Sequence, residues 1–546
     1  MYLLAPAVFM KSAGAVIIFN MDYLKVGKAT DLQGANRRLY RFFEILPGAL
    51  SYLTLIVLLV LSYFKPVGIA FFIIAFDVFW LCLVMYLAVH LIAAYRKLKE
   101  NSQIDWRAKC EALAANDFSG RDIADDCLAH AGKKWKDLSH LIILPNYNEG
   151  EEIIASALDS ILQDGFPTEQ MIIVLAMEDR AGAAAHERAK HIEEKYRKQF
   201  GRFAVTFHPD GITGELKGKG ANQAWAIKEV KREIIDAEGL DYDNILVSVF
   251  DIDTMVKPGY FFALSYKFLS VTAPYRASYQ PIPVYQNNLW EAPFFSRVAA
   301  SSNTFWQMMM QIREEQLVTY SSHSMTLRAL IDIGFWSTNM VSEDSRIFWN
   351  CLLYYNGEYR VEPMYFPVSM DITYDRNFKE TAKSLYKQQR RWAWGSENVP
   401  YLAFNTIKRW KTIDRKKLIN HILVQIYGFH SWATNALIIA VVGWMPMLIG
   451  GERFNTTVLS GNLPAITQSL MNIAMIGMVL SAVISTLLLP KRPKKYSVWK
   501  NIRMACEWVF VPVTIILFGA IPCLDAQWRL MRGKYMGFWV TPKSRG

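Results

Sequence analysis

The chain has 546 residues, of which 52% are hydrophobic, and a formal net charge of +11. That apolar content is high for a wholly soluble protein, so membrane segments are expected. The Lys and Arg residues cluster beside apolar runs instead of forming one basic domain, a pattern that fits membrane topology and speaks against nucleic acid as a partner.

Six cysteines, Cys82, Cys110, Cys127, Cys351, Cys506 and Cys523, are scattered, with no C-x-x-C pair and no Cys/His cluster. This argues against a zinc site or a disulfide scaffold and suits a reducing cytosolic face. Met1 to Asn20 is apolar but carries Lys11 and no clear small-residue cleavage site. It is not read as a signal peptide, and as a span it is marginal.

Basic residues from Lys25 to Arg41 precede the first convincing apolar run, Pro47 to Phe64, and a second run, Val67 to Tyr95, ends at Arg96, Lys97 and Lys99. Positive outer flanks around a short loop make a hairpin with both ends inside. Asp77 is the acid within it, either functional or reaching an interface or a neighbouring helix. Three more apolar stretches follow, Leu418 to Gly450, Ala465 to Leu489 and Ala505 to Leu524, with basic clusters at Lys408 to Lys417 and Lys491 to Arg503. Five spans would put the basic tail outside. Four ways out stay open: the Leu418 run is more than one pass, the segment with Pro512 and Pro522 is re-entrant, Met1 to Asn20 crosses, or the tail is outside.

From Glu100 to about Ala403 no stretch is apolar enough to span, which leaves a cytosolic domain with its own core. Strands are expected at His140 to Leu144, Met171 to Ala176, Phe203 to His208 and Ile245 to Phe250. Helices are expected at Glu151 to Leu162, Ala183 to Lys198 and Ala221 to Ile235. This alternation indicates an α/β fold with a mainly parallel sheet, whose ligands sit beyond the carboxyl ends of strands. The expected plan is an N-terminal cytosolic segment (1–46), a transmembrane hairpin (47–99), a helical linker (100–138), the α/β domain (139–404), a basic interfacial segment (405–417), a transmembrane region (418–530) and a basic tail (531–546).

Asn244 to Asp253 reads NILVSVFDID. If the strand continues to its end, Asp251 and Asp253 point to one side and suit Mg²⁺ or Mn²⁺, hard cations that take oxygen ligands and share them with phosphates; an Asx-rich turn is the plain alternative. Leu141 to Glu149, LIILPNYNE, ends a strand in a loop that can bond a nucleobase edge, or in a simple turn capped by Asn148. Lys217 to Asn222, KGKGAN, joins glycines, Lys219 and a helix start in a phosphate cradle, although it fails the P-loop pattern and a solvated turn is the alternative. Ser342-Glu343-Asp344 is a good helix start and also offers Asp344 as a general base. In Gln388 to Trp392, QQRRW, helical spacing puts Gln388, Arg391 and Trp392 on one face, an amide, a guanidinium and a ring for a phosphate and a sugar, or else an interfacial anchor.

These five stretches in this order resemble the membrane-embedded family 2 glycosyltransferases, the group of cellulose, hyaluronan and mannan synthases. Trp539-Val540-Thr541-Pro542-Lys543 looks like the short Thr-Pro-Lys tail of cellulose synthase-like members. The resemblance implies a GT-A domain inserted between transmembrane helices and a nucleotide-sugar donor, most often a UDP-sugar. By that resemblance Asp251 lies near the nucleotide, Asp253 ligates Mg²⁺ or Mn²⁺ at the diphosphate, and Asp344, of the Glu343-Asp344 pair, deprotonates the acceptor hydroxyl. Asn148, Lys219, Asn222, Gln388 and Arg391 belong to the nucleotide-sugar site, and Trp392 and Glu343 to the acceptor end. Where the family shows Asp-Asp or Asp-Gly-Ser this chain has Glu178-Asp179-Arg180, and one of Glu178 and Asp179 substitutes. Where a Gly-Thr type acceptor loop is common it has Ser321-Ser322-His323-Ser324, so His323 either touches the acceptor or is structural.

The resemblance further implies an integral, multi-pass protein of a plasma or inner membrane, with a cytosolic catalytic domain that extends a β-linked glycan. Transfer of one sugar to a lipid carrier, and a non-catalytic sugar-nucleotide-binding membrane protein, remain alternatives. The partners implied are the donor, a glycan or lipid-linked acceptor and the lipid bilayer; the oligomeric state is left open.

Overall fold

A computed structural model describes residues 21–116, 127–129 and 131–542. Met1 to Asn20 and Lys543 lie outside the described residues. Eight strands, β1 (Ser139–Pro145), β2 (Met171–Glu178), β3 (Arg202–His208), β4 (Ile245–Val249), β5 (Met255–Val256), β6 (Ala277–Tyr285), β7 (Ser324–Thr326) and β8 (Arg360–Met370), form one sheet in the order β3-β2-β1-β4-β7-β6-β8-β5. Its first half is the expected parallel one: Ile142 lies opposite Ile173 of β2 and Ser248 of β4. The second half is mixed, with β7 antiparallel to both β4 and β6, and β6 parallel to β8.

Side chains alternate across the central strands and divide the core into two layers. Ile142, Leu144, Ile173 and Leu175 face one layer with Ile154, Leu158, Ile192 and Phe261. Leu141, Ile143, Ile172 and Val174 face the other with Ile227, Leu330, Phe348 and Leu402. Buried on both faces, β1 and β2 read as continuous apolar runs. Each such Leu or Ile contributes about 1.5–3 kcal/mol by leaving water. Within the stretch expected as a linker, the Trp106–Ala114 helix puts Trp106, Cys110 and Leu113 into the first layer.

The chain runs outward from β1 through β2 to β3, then returns to lay β4 on the other side of β1. That reversal opens a crevice at the carboxyl ends of β1 and β4, where doubly wound sheets bind ligands. The loop after β1 and the Asp251 turn after β4 both lie at this edge.

Among the described residues five helices are long and apolar enough to cross a membrane: Gly34–Phe64, Pro66–Asn101, Arg415–Ile449, Val458–Leu487 and Val498–Met531. Phe64, Val89 and Ile476 are among the large apolar side chains they leave exposed. Asp77 is buried and takes a hydrogen bond from Thr467 of the Val458–Leu487 helix.

The fifth segment keeps to the α/β domain along its length. Met504 packs with Leu289 and Trp290, Glu507 pairs with Arg297, Phe510 meets Phe294 with ring centres 4.9 Å apart, and Phe518 meets Phe295 at 5.2 Å. Its far end is also held, by Asp525 against Arg390 at 2.8 Å and by Arg41, which donates to the Leu530 carbonyl at 2.8 Å and to that of Met531. Pro512, a π turn at Ile516–Ala520 and Pro522 interrupt it. The tail after Met531 therefore lies on the side of the α/β domain.

Candidate active site

Strand β4 ends at Val249, so Asp251 and Asp253 stand on a turn and not on the strand the sequence suggested. The Thr254 N–H closes this turn on the Asp251 carbonyl at 2.8 Å. The two acids consequently differ in setting. Asp251 keeps 27% of its side chain exposed, whereas Asp253 is buried and accepts the Asp371 N–H on Oδ2 at 2.9 Å. Asn287 Nδ2 ties the corner together, donating to the Asp253 carbonyl at 3.0 Å and to Asp371 Oδ1 at 2.9 Å. The turn after β4 is thus pinned to the ends of β6 and β8.

Lys219 opens the Lys219–Val230 helix, and its ammonium lies 2.7 Å from Asp251 Oδ1 and 3.0 Å from both carboxylate oxygens of Asp344. Asp344 stands in the first turn of the Glu343–Tyr354 helix. The two helix starts touch at Gly220, where an added Cβ would come within 3.0 Å of Glu343 Cγ and the Ser337 carbonyl. Burial depresses the Lys219 ammonium, but Asp251 and Asp344 outweigh it and hold the group charged well above its ordinary value. Glu343 is pushed up to about 8 by burial, with the Asp344 charge adding and Lys219 opposing. Burial therefore favours the neutral form of Glu343. Burial, reinforced by Asp251 and Asp253, also raises the Tyr285 hydroxyl, which accepts from Asn303 Nδ2 at 2.8 Å.

On the β1 side, Glu178 is buried and paired with Arg180, whose guanidinium lies 4.1 Å over the Tyr147 ring. Of the two candidate acids, only Glu178 faces this corner; Asp179 turns outward, 3.3 Å from His186. Asn222 Nδ2 donates to the Ala176 carbonyl at 2.7 Å, and the buried Oδ1 atoms of Asn222 and Asn146 have no hydrogen-bond partner among the described residues. Asn148 is exposed, and the residue that caps the following helix is Gly150. Asn146, two positions earlier, is the buried asparagine of that loop.

The Phe378–Ala393 helix supplies the opposite wall. Gln388 Oε1 accepts from Thr373 Oγ1 at 2.6 Å, and Trp392 stands with its ring 6.4 Å from Tyr285. Arg391 lies 4.8 Å over the Phe538 ring. Phe538 in turn sits on Gly218, where a Cβ would come 2.6 Å from its Cγ. The segment up to Pro542 thus threads between the Lys217–Gly220 loop and the Gln388–Trp392 helix, with Lys387 over Trp539 at 5.1 Å. His323 reaches no surface: it is fully buried, its Nδ1 bonds the Tyr320 carbonyl at 2.8 Å, and burial lowers its pKa. A direct acceptor contact is closed to it in this arrangement.

Among the described residues no group of three or more His, Cys, Asp or Glu stands together as a metal cage. Two carboxylates on one turn nevertheless suit a Mg²⁺-type ion, which takes one or two protein carboxylates and completes its shell from phosphates and water. Asp371, Asn287, Tyr285 and Arg180 were missed in the sequence. The available signal was that Asp371 closes β8, and Asn287 closes β6, much as the aspartates close β4.

Residues 246–489 match the family model described as glycosyl transferase family group 2. A poly-β-1,6-N-acetyl-D-glucosamine synthase of Staphylococcus epidermidis is 31% identical over 121 residues, 22% of this chain and 25% of that protein. A second synthase of that name and species is 34% identical over 96 residues, 18% of this chain and 20% of the other. The chain therefore matches only about a quarter of these relatives' length. Among solved structures, a mannosyltransferase from Pyrobaculum calidifontis in complex with GDP-Man and Mn²⁺ is 14% identical with a TM-score of 0.41, covering 76% of this chain and 98% of its own. S. aureus TarS 1–349 in complex with UDP-GlcNAc is 13% identical with a TM-score of 0.33, covering 65% and 93%.

Proposed function

We propose that the chain is a family 2 glycosyltransferase, as the match of residues 246–489 to that family model supports, and that it transfers sugar from a nucleotide-sugar donor, a UDP-sugar by preference, and extends a β-linked glycan at the cytosolic face of a membrane. The observation that carries this reading is the Lys219 ammonium bridging Asp251 and Asp344, which brings a place for the donor's charged end within a few ångströms of a carboxylate fit to act as base. The base of the donor enters between Tyr147, Glu178 and Arg180. Its diphosphate reaches Lys219, the turn of Asp251 and Asp253, and Arg391.

The acceptor comes from the Trp392 side. As its hydroxyl oxygen bonds to the anomeric carbon, the bond from that carbon to the diphosphate oxygen breaks, the proton passes to Asp344, and the nucleoside diphosphate leaves. A single displacement of this kind inverts the anomeric centre. Lys219 and Arg391 face the charge that grows on the leaving group, the kind of preorganised stabilisation that contributes most to such steps. Asp251 and Asp253 would hold Mg²⁺ or Mn²⁺ against the diphosphate, and the bound ion would add charge neutralisation there. Neutral Glu343 beside Asp344 can donate a hydrogen bond to the acceptor or to the base.

The apolar helices and the side on which the tail lies support a protein anchored in the bilayer with its catalytic domain and both flanking segments on one face, in the plasma or inner membrane. The growing glycan would leave along the helices packed on the Gln388–Trp392 wall. Membranes carrying the protein, incubated with a panel of nucleotide sugars and Mg²⁺ or Mn²⁺, should yield product that lengthens with time from one donor. A glycolipid of fixed size would instead identify a single transfer to a lipid carrier, and nucleotide binding with no turnover would sink the enzymatic reading.

A further inference from the structure

The turn that carries Asp344 is held from outside its own helix. Ser342 is the N-cap residue, yet its side chain makes no bond to that helix. Its Oγ donates instead to Glu397 Oε1 at 2.7 Å, and the N–H groups of Ser342 and Val341 donate to the same oxygen at 3.0 and 3.3 Å. Glu397 Oε2 accepts the Trp394 indole N–H at 2.8 Å. Glu397 is buried, so burial raises its pKa, while Arg346 and these donors oppose that rise. A buried carboxylate that satisfies four donors is a rigid joint, since each bond broken would leave a polar group dry.

The grip extends to the other side of the base. Asn398 Nδ2 donates to Ser345 Oγ at 2.9 Å, and Asn398 Oδ1 accepts from Arg346 Nε at 2.7 Å. Arg346 also donates to the carbonyls of Glu397 and Val26, at 3.3 and 3.0 Å, and stacks 3.8 Å over the Tyr401 ring. Residues 397 and 398 thus clamp the chain two positions before Asp344 and one position after it. Glu397 closes the turn that continues directly from the Gln388–Trp392 helix, and Asn398 opens the helix that follows it. The element that carries Arg391 and Trp392 therefore sets the position of Asp344.

We propose that Glu397 is the positioning residue that holds Asp344 in register with the Gln388–Trp392 wall, a role that rests on the reading of Asp344 as the base. A base moved by about an ångström loses on the order of 10²-fold in rate, while the donor's contacts at Lys219, Asp251 and Asp253, which stand on other elements, keep its affinity. In Glu397→Gln the amide oxygen can still serve Ser342, but the amide N–H₂ faces the Trp394 N–H, two donors in opposition.

The test compares wild type, Asp344→Asn, Glu397→Gln and Glu397→Gln/Trp394→Phe, measuring sugar transfer with the preferred donor and the dissociation constants of UDP and GDP in Mg²⁺. Glu397→Gln should lose about 10- to 100-fold in turnover with nucleotide affinity held within about twofold, and removal of the indole donor should return part of the loss. Turnover within twofold of wild type, or turnover and affinity falling together, would overturn the role of Glu397. Should Glu397→Gln fail to accumulate, Ser342→Ala deletes one donor and keeps the carboxylate; a severalfold loss of turnover at constant nucleotide affinity is expected, and unchanged turnover would count against the proposal. A wild type inactive with every donor would sink the functional reading and this inference with it. An active wild type with normal Glu397→Gln would sink the inference alone.

Discussion

Lys219 and Asp344, which are 125 residues apart in sequence, meet with the ammonium 3.0 Å from each carboxylate oxygen. Their contact joins the phosphate-cradle stretch to the Glu-Asp stretch, and Asp251 at 2.7 Å from the same ammonium adds the third. On the proposed function, a donor diphosphate arriving at Lys219 would compete with Asp344 for that ammonium and free the carboxylate to accept a proton. Lys219→Ala should therefore lower kcat/KM for the donor by about 10²–10³-fold, the usual cost of removing one preorganised donor to developing charge. Lys219→Arg, with a different reach and shape, should recover only part of it. Steady-state kinetics on detergent-solubilised protein would measure both.

Asp344→Asn keeps the shape of the side chain and removes the proton acceptor. Transfer should fall by about 10²–10⁴-fold, the typical contribution of a positioned general base, while nucleotide binding persists. Loss of binding in step with loss of transfer would assign Asp344 to the donor pocket instead.

Glu343 gives the pH dependence of stability a definite sign. Its value in the folded chain, about 8, lies above its ordinary 4.5 because burial disfavours the charged form. Between those limits the folded chain keeps a proton that the unfolded chain has released. The stability linked to this group is therefore fully present below pH 4.5 and is lost as the pH rises through 8. Thermal unfolding in detergent should show the decline in the wild type and its absence in Glu343→Gln, which should also retain most transfer activity near neutral pH.

Gly218 and Phe538 make a size-sensitive contact. A Cβ at Gly218 would lie 2.6 Å from Phe538 Cγ, so Gly218→Ala must lift the tail from its seat, at a cost of about 1–3 kcal/mol for overpacking. Trypsin should then cut faster at exposed Lys534. Phe538→Gly removes both clashing atoms, Cγ and the Cβ at 2.7 Å, and adding Gly218→Ala to it should change the cleavage rate little further.

The side on which the tail emerges follows from the fifth apolar segment. Its contacts at Glu507, Phe518 and Asp525 all return to the α/β domain. In a cysteine-free background, Lys534→Cys and Arg107→Cys should label from the same face of sealed vesicles, and Glu452→Cys from the opposite one. Labelling of Lys534→Cys together with Glu452→Cys would show that the segment crosses.

The parallel half of the sheet was legible because strands such as Met171–Glu178 and helices such as Glu151–Leu162 are continuous runs with clear ends. The mixed half was not. Strand β7 has three residues and β5 two, and their pairing with β4 and β8 depends on partners far along the chain. The acids and bases of the site were legible as residue types, but their settings were not. Asp253 accepts the N–H of Asp371, which is 118 residues away, and Ser342 bonds Glu397 at a separation of 55. No local spacing carries such pairs. The same limit explains His323 and Asn148, plausible by residue type and placed by tertiary packing in the core and in solvent respectively.

On the proposed function, one crevice holds both the donor's diphosphate and the base. The most direct measurement is sugar transfer by matched preparations of wild type, Asp253→Asn and Asp344→Asn, each titrated with nucleotide in Mg²⁺ and Mn²⁺. Both variants should lose transfer, Asp253→Asn should lose metal-dependent nucleotide affinity as well, and Asp344→Asn should keep it. Full transfer activity in either variant would contradict the proposed function.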